Sequence, residues 1–581
     1  MIKGISLSMK DTEKDYCRIL LNVMEEKGVR DAVASPGTRN APLLISLSYR
    51  ENIRTYVVTD ERNAAFMALG MALVSRRPVI LTCTSGTALY NYAPAIAEAY
   101  YQGIPLIIIS ADRPYDWIDQ NDSQTLIQPG ALSPIVKKSF DIPVENREHK
   151  ADWFVNRIAN EAVILSMEGK PGPVHINIQF DAPLSCVDEF SGRPERIVST
   201  ISPSPFIRPN EMDDLVRRLA GKKIMVIAGF MPPDASLNRS ISLFASLPGV
   251  VLMCETISNI HIEGNIHAVD NVLSGLSAEK KSELAPDIVI SIGGALISGI
   301  LKGYIREYAC EVWTLGDTYF GIDTFCNLSL HIDVAPEFFF KALFYKLHRK
   351  YEKNEGYIPT LLEYSGTWKQ TREKQLKIRE EFINNSEWSE LRAFRYILGN
   401  IPHDWNLFLS NGTAVRYAQL FSQNLPHACY ANRGVSGIEG TNATALGCAI
   451  AYRRNTLLIT GDMSFAYSPG IMGYDYIPSG FKIVIINNKG GGIFRFISPT
   501  RYIEHRDRFF CADPRVPVEG LAIAYGWKYF KADSEEELQK RFPDFISCPE
   551  NAILEITVDE EYSAAILRKY MRLNAFETLK D

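Results

Sequence analysis

Short runs of apolar, β-prone residues recur along this chain at helix-length intervals, and each stops abruptly at small or polar residues. PVILTCTSG, IPLIIISADRP and PVHINIQF follow one another before residue 185. KKIMVIAGF, GVVLMCET, PDIVISIGG, EVWTLGD and LSLHIDV form a second series. WNLFLSNG, NTLLITGD, FKIVIINN and ENAILEITV form a third. A strand buried on both faces reads as an uninterrupted apolar run, whereas a half-exposed strand alternates. Such strands, separated by helical patterns of about 10 to 15 residues, imply parallel sheets covered by helices. The expected fold class is α/β, with three doubly wound parallel-sheet domains. SGRPERIVSTISPSPFIRPN, residues 191–210, carries four prolines and reads as a linker. The polar stretch from His348 to about Glu390 reads as helical and marks a second boundary. The expected domains are therefore residues 1–190, 210–350 and 375–581.

Composition narrows the classes of function. Apolar residues make up 46% and charged residues 22%, and the formal net charge is -6. No global field draws this chain to nucleic acid or a membrane surface, so any recognition of anions is local. Ten cysteines are scattered without a CxxC pair, which suits reduced thiols in an intracellular protein. MIKGISLSMKDTEKDYC lacks the apolar core of a signal peptide, and no run approaches the ~18 residues of a membrane span. A cytoplasmic enzyme is the expectation. IAGFMPP and SIGGALIS in the middle series lack a GxGxxG followed by a ribose-binding acid. That disfavours a dehydrogenase and leaves the middle unit as a scaffold.

The third series carries the first chemistry. Asp462 lies just past the run NTLLITG, with Gly461 freeing the turn, and Asn487 and Asn488 lie just past FKIVII. The 24 residues between Asp462 and Asn487 can hold one crossover helix. Adjacent parallel strands would then bring Asp462 and the NNKGG loop together at the sheet's C-terminal edge. A carboxylate, an amide oxygen and a freed backbone carbonyl are hard ligands for Mg²⁺ or a similar ion completed by phosphate oxygens. Ser464 and the N–H groups of the following helix start would face those phosphates. Taken alone, GD is a common turn and NN–GGG a loose loop; their spacing is what joins them.

This pair resembles the diphosphate-binding motif of thiamine-diphosphate enzymes. The resemblance implies that Asp462, Asn488 and the carbonyl of Gly490 hold Mg²⁺ (Mn²⁺ being possible), with Gly491 allowing close approach to the diphosphate. Met463 stands where many members have glycine. It also implies three domains, pyrimidine-binding, central and diphosphate-binding, and a glutamate that bonds the aminopyrimidine ring. VVTDERNAAFMALGMAL supplies Glu61 at the start of a helix rich in small residues. Burial against such a face would disfavour its charge and let it share a proton with the ring nitrogen.

Four arginines sit where strands end or helices begin: Arg39 in SPGTRNAPL, Arg113 in IIISADRP, Arg416 in SNGTAVRYA and Arg433 in ANRGVSGIEG. Guanidinium forks pair with planar carboxylates, so a site that collects several expects substrates with more than one carboxylate. PGTRNAPL, TDERNAAFMALGMA, TSGTALYNYAPAIAEA, SADRP…NDSQTLIQPG, NRGVSGIEG and NNKGGGIF together look like the 2-succinyl-5-enolpyruvyl-6-hydroxy-3-cyclohexene-1-carboxylate synthases of menaquinone biosynthesis. That resemblance implies decarboxylation of 2-oxoglutarate on thiamine diphosphate and addition of the succinyl unit to isochorismate. Both substrates are dicarboxylates. Thr38, Arg39, Arg113, Gln124, Arg416 and Arg433 would then contact substrate, with Arg416 and Arg433 working beside Glu61. Ile438 would bend the cofactor into its reactive shape, and Ile493 and Phe494 would line the pocket. Gly412 replaces a frequent serine, so Thr413 would take over its contact. Lys302 is the nearest match to a middle-domain lysine, and Lys489 would add a cation near the diphosphate. The resemblance further implies a homodimer or tetramer in which Glu61 and Asp462 of one site come from different chains. Another thiamine-diphosphate decarboxylase or carboligase, and a noncatalytic protein on the same fold, are the rival readings.

Overall fold

The computed structural model describes residues 8–145, 149–191, 194–201, 206–316, 321–353, 358–421 and 428–573. It contains three parallel sheets, each built from one of the three series of apolar runs. The chain divides into two compact units, one of which includes residues 432–453 and 467–478 along with the first sheet.

In the first unit, six parallel strands lie in the order Arg54–Val57, Asp31–Ala34, Val79–Cys83, Leu106–Asp112, Val174–Gln179, Ser139–Ile142. The strands Val79–Cys83, Leu106–Asp112 and Val174–Gln179 are buried at every residue, as an apolar run without alternation requires. Leu20, Ile107, Ile109, Ala159 and Ile176 are among the residues filling the core on one face. The helices Glu61–Ser75 and Thr441–Tyr452 pack with their backbones in near contact. A methyl group placed on Gly70 would collide with the carbonyl of Thr444, and one on Gly447 with the carbonyl of Met67. Small residues along both helices permit that approach, and both are buried over most of their length.

One element departs from the all-parallel expectation. Ser8–Thr12 pairs antiparallel with Val187–Ser191, outside the main sheet. Its sequence, SMKDT, has no apolar run to announce a strand. Asp11 is nonetheless buried, held 2.7 Å from the guanidinium of Arg50.

The second unit holds the other two sheets. Five parallel strands run in the order Val250–Cys254, Ile224–Ala228, Ile288–Ile292, Glu311–Leu315, Leu328–Ile332. The helix Ile358–Asn384 lies in the polar stretch expected to be helical, and its Leu361, Tyr364 and Trp368 join the cores around this sheet. Six parallel strands form the last sheet: Ala428–Tyr430, Asn406–Leu409, Thr456–Gly461, Phe481–Asn487, Ala552–Thr557, Lys528–Ala532. The two sheets are joined by buried amide bonds. Asn259 accepts from the Cys429 N–H at 2.7 Å, and Gln419 accepts from the Thr256 N–H at 2.8 Å. No described helix is long and apolar enough to cross a membrane.

Candidate functional site

In the last sheet, Thr456–Gly461 and Phe481–Asn487 are hydrogen-bonded neighbours, with Gly461 opposite Ile486. That register delivers Asp462 and the NNKGG loop to the same edge. Asp462 is buried; one carboxylate oxygen accepts the Met463 N–H and the other the Gly490 N–H, both at 2.7 Å. Burial raises its pKa above the ordinary value, and the Gly490 and Met463 N–H groups oppose that shift. Gly461 also meets the neighbouring strand, donating its N–H to the Ser410 hydroxyl at 3.3 Å. Ser464 is buried within the same short helix.

Lys489, Gly490 and Gly491 all have positive φ, at 57°, 82° and 33°. A Cβ on Gly490 would strike the Cys511 carbonyl, and one on Gly491 would crowd the backbone of Phe510 and Cys511. The glycines are therefore set by the segment packed against the loop. The Gly490 carbonyl accepts from Arg495 at 2.9 Å, and Arg495 is itself buried. The Lys489 ammonium pairs with Glu560 at 3.2 Å. A cleft of about 230 Å³ opens here, lined by Asp462, Asn487, Lys489, Asp513 and Arg515 together with Pro514, Val516 and Val558. Ile493 and Phe494 follow on the short helix Gly492–Phe496, both half-buried.

Asn488 is buried and donates its amide nitrogen to Glu390 at 2.6 Å. Glu390, the first residue of the helix Glu390–Asn400, was not among the sequence candidates. Burial pushes its carboxyl up to about 7, while Asn488 and the Thr413 hydroxyl pull it down. In SEWSELRAF it looks like an ordinary helix-start acid, so no local signal marks it. At the neighbouring strand end, Gly412 sits at φ 95° with open space around it, so its backbone conformation, more than crowding, selects glycine over the expected serine.

Arg416, on the helix Ala414–Leu420, donates to the Gly412 carbonyl. Its charge also lowers the pKa of Asp270, which burial raises, and the Ser298 hydroxyl bonds the same carboxyl. Ser298 caps the helix Gly299–Tyr308, which carries Lys302 one turn along. The ammonium of Lys302 donates to the Leu296 carbonyl at 3.4 Å.

In the first unit, Arg39 and Arg113 lie near each other. Burial and the Arg113 charge hold Arg39 below its ordinary pKa. Arg39 donates to the Phe180 carbonyl at 2.9 Å, and Arg113 pairs with Asp122. Thr38 and Gln124 are exposed, and Gln124, at φ 54°, lies over Gly86 of the SGT turn. Beneath them Gln128 is fully buried and bonds the Gly86 N–H, the Ala111 carbonyl and Asn177. Glu61 begins its helix after the cap residue Asp60. It is half-buried within this chain and accepts from the Asn91 amide at 3.3 Å. Full burial starts at Asn63, two positions into the helix.

Arg433 and Ile438 occupy the loop before Thr441, both half-buried. Glu98, a second acid that sequence reasoning missed, holds this loop. Its buried carboxylate accepts the N–H groups of Gly434, of Val435 at 2.8 Å and of Ser436 at 3.2 Å. Burial raises its pKa, and those amides and Arg433 oppose the rise. The signal was present: one charge inside the otherwise small and apolar helix APAIAEAYYQ.

Residues 15–132 match the model of the thiamine pyrophosphate enzyme N-terminal TPP binding domain, and residues 411–556 match its C-terminal TPP binding domain. The chain is thus a thiamine-diphosphate enzyme in class. A 2-succinyl-5-enolpyruvyl-6-hydroxy-3-cyclohexene-1-carboxylate synthase of Porphyromonas gingivalis is 39% identical over 568 residues, covering 96% of this chain and 97% of the relative. Synthases of the same name from Cytophaga hutchinsonii and Bacteroides fragilis are 35% and 34% identical, each covering 95% of this chain and 97% of the relative. The chain belongs to the family of these synthases.

Proposed function

We propose that this chain decarboxylates 2-oxoglutarate and transfers the succinyl unit to isochorismate, giving 2-succinyl-5-enolpyruvyl-6-hydroxy-3-cyclohexene-1-carboxylate for menaquinone biosynthesis. Thiamine diphosphate, when bound, supplies the electron sink for both bond changes. The observation that carries the reading is the Asp462–Gly490 tie across two adjacent strand ends, in a chain 39% identical to such a synthase.

The donor set fits a hard cation. Asp462 is buried, and the Asn488 amide nitrogen is turned to Glu390, so its oxygen is the donor left over. The Gly490 carbonyl has two lone pairs, and Arg495 takes one. Among the described residues no three His, Cys, Asp or Glu side chains form a metal cluster, so amide and carbonyl oxygens have to complete the set. In this reading Asp462, Asn488 and Gly490 hold Mg²⁺ or Mn²⁺. Gly412, Thr413, Gly461, Met463, Ser464 and Gly491 face the diphosphate. Glu61 holds and returns the proton of the aminopyrimidine nitrogen. Ile438 and Ile493 support the cofactor rings. Arg39, Arg113, Arg416 and Arg433 take the substrate carboxylates, with Thr38, Gln124, Lys302 and Phe494 beside them.

The reading extends to a homodimer or tetramer in the cytoplasm, and to domains at 1–190, 210–350 and 375–581. The test supplies purified protein with Mg²⁺, thiamine diphosphate and 2-oxoglutarate, with and without isochorismate, and follows CO₂ and adduct. Adduct that requires both substrates is the expected result. Rapid turnover of pyruvate with 2-oxoglutarate untouched would reject the substrate assignment in favour of another decarboxylase.

A further inference from the structure

We infer that Glu390 is a positioning residue that fixes which atom of the Asn488 amide faces the diphosphate corner. An amide presents an oxygen and a nitrogen of nearly equal size, and only the oxygen can bind a cation. Something must therefore decide which way round Asn488 sits. Glu390 stands 2.6 Å from its nitrogen, a distance suited to N–H donation into a carboxylate. Gly492 closes the other side: a Cβ there would collide with the same nitrogen, so the amide is wedged between the carboxylate and bare backbone. Glu390 is itself held, because its backbone N–H donates to the buried Ser563 hydroxyl at 3.2 Å. The arrangement is also reciprocal. A cation on the amide oxygen draws electron density from the nitrogen, which strengthens the N–H bond to Glu390. Outer groups that orient a ligand in this way change metal affinity by about 10- to 100-fold when removed.

The inference rests on the proposed assignment of Asn488 to the cation, and its test separates the two. Binding of thiamine diphosphate is titrated at increasing Mg²⁺ by quenching of intrinsic fluorescence, without substrate, for four proteins: wild type, Glu390→Ala, Asn488→Ala and the double variant. Far-UV circular dichroism and melting without cofactor confirm folding, and Glu390→Gln replaces Glu390→Ala if the latter does not fold. The expected result is a 10- to 100-fold weaker Mg²⁺ requirement constant for Glu390→Ala in the wild-type background. The same change should have little further effect in the Asn488→Ala background. Equal losses in both backgrounds, or none in either, overturn the positioning role. If wild type shows no Mg²⁺-dependent cofactor binding, the assignment of the site itself falls.

Discussion

Two carboxylates expected to serve the two ends of one cofactor are built in opposite ways. Asp462 is buried and satisfied by two backbone N–H groups at 2.7 Å, one of them from the loop it is meant to work with. Glu61 is half-buried, with one 3.3 Å bond from an amide side chain. The Asp462 end is a product of strand register alone, since neighbouring strands end together and their first loop residues must meet. The Glu61 end is the tip of a helix whose burial begins two residues later. In the proposed reading, the corner that would hold the diphosphate is satisfied within its own sheet, while the proton-transfer group keeps room to engage.

The sharpest way to break this contrast is Glu61→Gln. If Glu61 acts only on the proton, turnover should fall by about 10²- to 10⁴-fold with Mg²⁺-dependent cofactor binding preserved. Steady-state rates beside fluorescence titration decide it, and unchanged turnover removes Glu61 from the chemistry. Asp462→Asn should behave inversely. It keeps the shape but loses the charge, so cofactor affinity should fall by at least about 100-fold, more than for an outer group. Intact affinity would mean that the corner is held for some other purpose. Glu98→Gln probes the loop of Arg433 and Ile438 by weakening its three amide bonds. A charge-assisted bond worth about 1.5–3 kcal/mol corresponds to a fall of about 10- to 100-fold in kcat/KM, and the low end is expected because the amide oxygen still accepts. Most of that fall should be in KM, and a change confined to melting temperature would make Glu98 a stability residue only.

The last test reads stability against pH instead of turnover. Glu390 has its folded pKa raised to about 7 from an ordinary 4.5, so the folded state favours its protonated form. Its contribution is fully present below about pH 4.5 and is lost as pH rises through 7, amounting to at most about 3 kcal/mol. Denaturant melts of cofactor-free protein at pH 5 and pH 8 should show this loss, and Glu390→Gln should flatten it. An unflattened profile would assign the dependence to other groups.

Much of the fold could be read from the chain because parallel strands buried on both faces leave apolar runs such as VILTC and IVII. Ser8–Thr12 escaped because a polar pair, Asp11 with Arg50, holds it in place. At the candidate site, Asp462 and Asn488 stood out because each directly follows a strand, and Gly490 entered through the resemblance to the diphosphate-binding motif. Glu390 did not stand out, because its partner lies 98 residues away in sequence, and Glu98 showed only as a lone charge in an apolar helix, its partners more than 300 residues away. Only folding discloses such pairings. The half-burial of Glu61 within this chain could not be read from its helix, which is apolar almost to the tip, because composition does not say where a helix leaves the core.

The near contact of Gly70 with Thr444 and of Gly447 with Met67 leaves no slack between two helices. They are keyed together, so neither can slide along the other without a side chain arriving where only a hydrogen fits. Gly70 lies nine positions beyond Glu61, about 14 Å along the same rod. A single added methyl group at that distant notch should therefore shift the acid at the rod's tip, and enzymes crippled there would carry their lesion far from any substrate.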